Sequence, residues 1–148
     1  SNLERLNRWD CAVSMFKERP TFGFGPGTYT DQYAPFQRGE NLTIISTNFG
    51  DVGNAHSEYL SALSETGWIG LLTFAALIAS IFYVSIKRYH KLPKGETKSI
   101  LLALILSLVT YFTHGVLNNY LDIDKLAVPI WAFVAFIVAV DLKERAKG

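Results

Sequence analysis

The hydrophobic and polar positions divide the chain into a mixed first half and an almost wholly apolar second half. Residues 1–66 combine helix-like spacing with polar, glycine-rich stretches, whereas residues 67–142 are dominated by Leu, Ile, Ala, Val and Phe. This contrast predicts an all-α fold in which a helical segment outside the membrane, residues 1–66, joins a membrane helical domain, residues 67–142. A short polar tail, residues 143–148, follows it.

Three apolar runs in the second half are typical of transmembrane helices. The first, 68–86, has nineteen residues without a charge, and as a helix it would span roughly 28 Å, close to the bilayer core. The second run is 99–117. The third, 122–140, is the shortest in its uninterrupted apolar part, so a buried or interfacial helix is the alternative. Pro129 would fit the first turn of this helix.

The distribution of basic residues predicts the orientation of these helices. The link 87–98 and the tail hold eight of the fourteen Lys and Arg residues. The positive-inside rule places both in the cytoplasm, so residues 1–66 should face the periplasm from the inner membrane. The net charge of +1 gives no indication of a nucleic-acid partner.

The first part of the polar half has the pattern of a helix and a turn. Residues 3–19 are predicted to be helical, with an apolar face that begins at Trp9 and continues through Ala12, Val13 and Phe16. Pro20 should end this helix. The segment 22–28 holds three glycines and a proline, which predicts a tight turn or a close backbone approach.

The second part of the polar half is less regular. Residues 29–38 suggest a short helix, and 39–54 are interpreted as a mobile loop, with a short strand at 42–45 as the alternative. Asn54 is a suitable N-cap for a helix that starts at Ala55 and runs to about residue 66. His56 would then lie in the first turn of that helix.

His56 is the only histidine of the outward segment and the group there that titrates near neutral pH. The free N–H groups and the dipole of a helix N-terminus disfavour a protonated imidazole, and a neutral imidazole is what a general base needs. A surface or structural histidine is the alternative. The single cysteine, Cys11, is interpreted as a small buried apolar residue. The pattern predicts neither a metal site nor a cofactor.

Arginines are the candidate binding residues. Arg5 and Arg8 are three residues apart on one helix face, where two guanidinium groups repel unless an anion or an acid lies between them. Phosphate matches their geometry. The alternative is a solvated face with Glu4 and Asp10 as partners. Arg38 is a third candidate with a similar alternative.

The outward end of the second apolar run carries further polar residues. If the helix continues to residue 117, His114 and Asn118 are one turn apart on one face. Polar groups at membrane depth usually face a bundle interior or a cavity. Structural hydrogen bonding and a supporting role in chemistry are both compatible with this placement.

Three motifs in this order resemble the conserved region of the O-antigen ligase and O-antigen polymerase superfamily. The first is Arg5 four residues before Trp9, then a helix and Pro20. The second is the glycine-rich turn 22–29. The third combines Ala-His-Ser-Glu-Tyr-Leu at 55–60 with Glu-Thr-Gly-Trp-Ile-Gly at 65–70.

The resemblance implies a metal-independent membrane enzyme that transfers a glycan from an undecaprenyl-diphosphate carrier to an acceptor hydroxyl, such as that of lipid A core. His56 matches the loop histidine proposed to activate the acceptor, and Arg5 the arginine proposed to hold the diphosphate. Tyr59, in the third motif, is grouped with Arg5, Arg8 and Arg38 as a substrate-binding candidate, although Arg8 matches no family position. Glu65 is a supporting candidate.

The resemblance leaves alternatives open. A polysaccharide polymerase or a protein O-oligosaccharyltransferase would share the same motifs. A non-catalytic transport or assembly subunit would require the combination of Arg5 and His56 to be incidental. The family also uses an arginine from an earlier loop, so residues 1–148 alone are expected to be inactive.

Overall fold

The computed structural model describes residues 2–42, 46 and 53–146, and no β-strand is formed among them. The predicted all-α fold is confirmed. Residues 43–45 of the strand considered at 42–45, and residues 43–45 and 47–52 of the loop predicted at 39–54, lie outside the described residues. The helices of the described chain are α1 (Asn2–Glu18), α2 (Tyr29–Gln32), two 3-10 helices (Ala34–Phe36 and Gly39–Asn41), α3 (Glu58–Lys91), α4 (Glu96–His114) and α5 (Asp124–Arg145).

The chain forms two compact units. The first comprises Ser1–Phe74 with Gly115–Asn119, and the second comprises Ala75–His114 with Tyr120–Gly148. Helix α3 contributes its first half to the first unit and its second half to the second unit. The short segment that follows α4 belongs to the first unit, although it lies far from that unit in sequence.

The buried face of α1 organises the first unit, and it is not the face expected from sequence. Cys11, Ala12 and Met15 are fully buried against Tyr29 and Tyr33. The same face carries the polar residues Glu4, Asn7 and Arg8, all buried. The predicted face of Trp9, Ala12, Val13 and Phe16 is therefore wrong except at Ala12, because polar residues that find partners can occupy core positions.

A break at Gly67 divides α3 into the two helices that the sequence predicts. Gly67 has φ 67° and ψ −167°, a conformation that residues with a Cβ avoid. The next residue, Trp68, donates its backbone N–H to the carbonyl of Pro20 at 2.9 Å. The backbone that follows α1 thus passes directly beside the break, and a Cβ on Gly67 would overlap the carbonyl oxygens of Pro20 and Thr21.

The second unit packs apolar side chains from α4, α5 and the second half of α3. Its buried cluster includes Ile81, Leu101, Leu108 and Ile137. Many large apolar side chains remain exposed, for example Val128 at 67%. Helices α3, α4 and α5 are long and apolar enough to cross a membrane, and a bilayer would cover such apolar surface.

The helix ends differ from the predicted spans. Helix α4 stops at His114, three residues before the predicted end, so Asn118 is not on a helix face with His114 as expected. Helix α5 has 22 residues and is roughly 33 Å long, which removes the shortage of length noted for the third run. Pro129 lies inside α5 rather than in its first turn, because the helix already begins at Asp124.

Candidate functional site

Helix α1 holds Arg8 in a buried set of contacts. Its Nε donates to Glu4 Oε1 at 3.1 Å, and its Nη1 donates to the carbonyl of Asn54 at 3.3 Å. The guanidinium also lies 5.5 Å from the ring centroid of Tyr33, a cation–π contact. Arg8 is 5% exposed. Its hydrogen bonds join α1 to the segment before His56, and its role in substrate binding stays a prediction.

Glu4 completes this buried charge pair, and sequence reasoning named it only as a partner on a solvated face. The pair is buried, with both side chains about 5% exposed, so that face is not solvated. Glu4 also accepts a hydrogen bond from Ser46 Oγ at 2.7 Å. The spacing of Glu4 four residues before Arg8 is the favourable order for a helical ion pair, and this signal could have identified the pair.

Arg5 is placed differently from Arg8. Its side chain is half-buried, and its Nε is buried without a hydrogen-bond acceptor among the described residues. A buried guanidinium N–H without an acceptor is costly, so this atom is well suited to an external anion. Of the two arginines Arg5 and Arg8, Arg5 is therefore the one whose Nε donor has no acceptor in the described part of the chain.

His56 adopts an unusual backbone conformation beside α1. Its φ is 52°, the only positive value at a non-glycine residue in the described chain, and such strain at a residue with a Cβ often marks a functional site. Two contacts support it. The His56 backbone N–H donates to Asn54 Oδ1 at 3.1 Å, and the Trp9 indole donates to the His56 carbonyl at 3.4 Å.

The N-terminus of α3 begins two residues after His56, so the predicted N-cap at Asn54 is wrong. The capping hydroxyl belongs to Ser57, which accepts a hydrogen bond from Leu60 N–H at 3.3 Å. Asn54 instead forms a local turn with His56, a common use of Asn outside helices. His56 consequently precedes the helix and does not lie in its first turn.

Backbone N–H groups at this helix start are already used. Ser57 N–H donates to Asn119 Oδ1 at 2.5 Å, and Glu58 N–H donates to the carbonyl of Gly115 at 2.9 Å. Asn119 also donates to Ser61 Oγ at 2.6 Å. The expectation of free N–H groups beside His56 is therefore wrong for these two residues.

The pKa of His56 is lowered from its usual value, first by burial and then by the positive charges of Arg8 and Arg5. The negative charge of Glu4 opposes this shift. Both causes favour the neutral imidazole. The neutral state predicted for His56 thus has a physical basis in two arginines and burial, rather than in the helix dipole alone.

Arg38 and Tyr59, the other two substrate-binding candidates, have different surroundings. Arg38 is exposed at the start of the 3-10 helix Gly39–Asn41. The Tyr59 ring packs 5.8 Å from the ring of Phe74. No hydrogen bond or ion pair among the described residues joins Arg38 to His56 or to Arg5, so its assignment to substrate binding stays a prediction.

An apolar groove of about 470 Å³ opens next to the His56 backbone. Its lining consists of Trp9, Ser57, Tyr59, Leu60 and Val116. The indole that hydrogen-bonds to the His56 carbonyl forms one wall of the groove. Neither Arg5 nor His56 belongs to the lining of this groove.

Glu65 anchors the glycine-rich turn. Its two carboxylate oxygens accept the backbone N–H groups of Gly27 and Tyr29, each at 3.0 Å, and its carbonyl accepts the N–H of Gly25 at 2.8 Å. Gly23 approaches the Glu65 backbone so closely that a Cβ would overlap it. Glu65 therefore joins the turn to α3, which is a supporting position.

We expect Glu65→Ala to destabilise the full-length protein by about 2–3 kcal/mol, because two hydrogen bonds to a charged acceptor are lost. Glu65→Gln keeps one acceptor oxygen and should cost about half as much. Thermal unfolding of the purified protein in detergent measures both variants. Equal stability of Glu65→Ala and the parent protein would contradict this role.

The remaining supporting candidates, His114 and Asn118, belong to different units. His114 is exposed at the end of α4 and belongs to the second unit, whereas Asn118 belongs to the first. Asn118 contributes its backbone carbonyl, 3.3 Å from Glu58 N. The Asn119 side chain contacts Ser57 and Ser61 at the start of α3, and nothing in its local sequence distinguishes Asn119 from Asn118.

Cys11 and Tyr29 belong to the buried hydrophobic core of the first unit. Cys11 is fully buried, which confirms its interpretation as a buried apolar residue. Burial raises the pKa of its thiol to about 11, and burial also raises the pKa of Tyr29. The Tyr29 hydroxyl donates to the Arg8 carbonyl at 2.7 Å. Both groups are neutral at physiological pH and serve packing.

Comparison with known proteins adds a family. The family described as O-antigen ligase matches residues 1–75. An uncharacterised protein of Haemophilus influenzae is 25% identical over 119 residues, which covers 79% of this chain and 28% of that protein. The chain thus spans little more than a quarter of the curated relative. No solved structure matches.

Proposed function

Because this chain belongs to the O-antigen ligase family, a family of membrane glycan-handling enzymes, we propose that His56 and Arg5 carry glycan transfer in the full-length protein. The donor is a glycan on an undecaprenyl-diphosphate carrier. The acceptor is a hydroxyl group, such as that of lipid A core. Residues 1–66 face the periplasm of the inner membrane.

The observation that supports the proposal is the hydrogen-bonded contact between α1 and the segment before α3. Trp9 donates to the His56 carbonyl, and Arg5 lies one helical turn before Trp9 on α1, so both belong to one side of that helix. Arg5 retains a buried Nε without an acceptor among the described residues. The imidazole and a cation with an unused donor thus belong to two segments in direct contact, although fifty-one residues separate them in sequence.

The proposed reaction assigns one role to each group. The acceptor hydroxyl oxygen attacks the anomeric carbon of the donor glycan, while the bond from that carbon to the diphosphate oxygen breaks. Neutral His56 accepts the hydroxyl proton. Arg5 stabilises the negative charge that develops on the leaving diphosphate. The products are the glycosylated acceptor and the lipid diphosphate. Arg8 has a positioning role: its hydrogen bond to the Asn54 carbonyl holds the segment before His56 against α1.

The test uses a deletion strain complemented with the full-length gene. Undecaprenyl-linked long polymer accumulates if the missing step is ligation, and single repeat units accumulate if it is polymerisation. Restoration of surface glycan by the parent gene supports the transferase assignment. A deletion strain with unchanged lipid-linked and surface glycans would favour the transport or assembly alternative.

The lowered pKa of His56 predicts a pH dependence of transfer. A general base acts only when neutral, and the pKa of His56 lies below the usual value of 6.5. The transfer rate should therefore stay above half its maximum at pH 6.5 and fall as the pH is lowered further. Rate measurements with the reconstituted full-length protein check this, and a rate that increases on acidification would contradict it.

A further inference from the structure

A small charged pocket lies between the C-terminal ends of α3 and α5, in the second unit. Its volume is about 210 Å³, and its charged lining residues are Lys87, Arg88, Lys91, Asp141 and Arg145. Four cations and one carboxylate give this lining a net charge of +3. Nothing in the proposed glycan transfer uses these residues.

Asp141 forms ion pairs with both arginines of the pocket lining, Arg88 and Arg145. Arg88 donates Nε and Nη2 to Asp141 Oδ1, with Nε at 2.9 Å, and Arg145 Nε donates to Oδ2 at 2.7 Å. Asp141 and Arg88 are about 12% exposed, so this pair is largely buried. The only carboxylate of the pocket lining is therefore already shared by two guanidinium groups.

The two lysines have no acid partner among the described residues. Lys87 Nζ lies 3.4 Å from the Tyr83 hydroxyl and 5.3 Å from the centroid of its ring. Lys91 is exposed and lines the same pocket. These ammonium groups can supply donors to an anion that enters the pocket.

The pocket lies where two apolar helical segments end. Residues 67–86 and 126–140 carry no charge, and Lys87 and Asp141 are the first charged residues after them. The ion pair of Arg88 with Asp141 brings these two boundaries to one level. If α3 and α5 cross a bilayer, this level is that of the lipid headgroups, which flank the hydrocarbon core.

Helix dipoles offer a competing explanation for the basic residues. Cations are favoured at helix C-termini, where each helix presents about half a negative charge. Two helix ends reduce the net charge of +3 to about +2, so the pocket still attracts an anion. The dipoles also do not explain why the cations line a concave pocket with Tyr83 and Val84 as its remaining walls.

We propose that this pocket binds the phosphate group of an anionic phospholipid headgroup, with Lys87 and Lys91 as its principal donors. The aromatic ring of Tyr83 and the apolar side chain of Val84 face the glycerol and the first acyl carbons. Inorganic phosphate shares the anionic chemistry, but it lacks the apolar part that these two residues would contact.

The test compares lipid binding by native mass spectrometry of the full-length protein purified in detergent. The probes are phosphatidylglycerol and phosphatidylcholine with identical acyl chains. Phosphatidylglycerol should bind more tightly, and the double variant Lys87→Gln with Lys91→Gln should weaken its binding about 25-fold, since each basic residue contributes about fivefold. The double variant Lys87→Arg with Lys91→Arg should retain binding.

The matched control is Lys94→Gln with Lys143→Gln, which removes the same charge from residues outside the pocket lining. This control should change the affinity less than twofold. An equal loss in the control and in the pocket variant would overturn the proposal in favour of general electrostatic attraction. Equal binding of the two lipids, or displacement of phosphatidylglycerol by millimolar inorganic phosphate, would overturn it as well.

Discussion

Replacement of His56 by Asn should lower glycan transfer by the full-length protein by a factor of about 10²–10⁴, the usual contribution of a general base. Asn cannot accept the proton of the acceptor hydroxyl. It does tolerate the positive φ that His56 adopts, so the fold around residue 56 should persist. Lipid-linked glycan and glycosylated acceptor, quantified over time with purified protein, measure the loss.

The control for this experiment is His90→Asn. His90 is an exposed histidine in the last turn of α3, and the same chemical change there should leave transfer intact. The free energy of unfolding of both variants, measured by thermal unfolding, should match that of the parent protein to within about 0.5 kcal/mol. Transfer by His56→Asn at the parental rate would remove His56 from the mechanism.

Replacement of Gly67 by Ala should destabilise the protein by about 3 kcal/mol or more. Two costs combine: the positive φ of Gly67 strains a residue with a Cβ, and the added Cβ would overlap backbone atoms of Pro20 and Thr21. The break in α3 and the passage of the chain after α1 would both have to change. Thermal unfolding in detergent and protein abundance in the membrane measure the effect.

Two other glycines separate these costs. Gly27 has a φ of 74° but nothing within 4 Å of an added Cβ, so Gly27→Ala should carry only the conformational cost, about 1 kcal/mol. Gly95 has open space and no positive φ, and Gly95→Ala should be neutral. If Gly67→Ala costs no more than Gly27→Ala, the close approach of residues 20 and 21 is not a constraint on the fold.

The three helices that could cross a membrane were predictable because the apolar composition of each run is enough to identify it. Long runs without charge identify α3, α4 and α5 without any knowledge of their neighbours. Their ends depend on more than composition. Helix α5 includes charged residues up to Arg145, because a helix continues wherever its backbone bonds can form, whereas hydropathy records only the apolar part.

The conformation of His56 could not be predicted because it depends on distant residues. Asn54 and Ser57 are both good N-cap residues, and the local sequence favours neither. The choice is associated with Asn119, which accepts the Ser57 N–H from 62 positions away. A side-chain contact over that separation leaves no periodic signal in the sequence.

The buried face of α1 shows a similar limit. Hydrophobic spacing selects Trp9, Val13 and Phe16, but the buried positions include Glu4 and Arg8. Burial of an ion pair is tolerated only with further hydrogen bonds, and here the additional acceptor, the Asn54 carbonyl, comes from another segment. Sequence spacing could indicate the pair, but not that it would be buried.

Sidedness labelling tests most directly the claim that the site of His56 and Arg5 faces outward. The variant Gly39→Cys, at a position that is exposed with open space around it, would report on residues 1–66. Native Cys11 should stay silent, since it is fully buried and its pKa is raised to about 11. Gly95→Cys reports on the link 87–98. In spheroplasts, a membrane-impermeant maleimide should label residue 39 at once and residue 95 only after permeabilisation, whereas the reverse order would contradict the proposed mechanism.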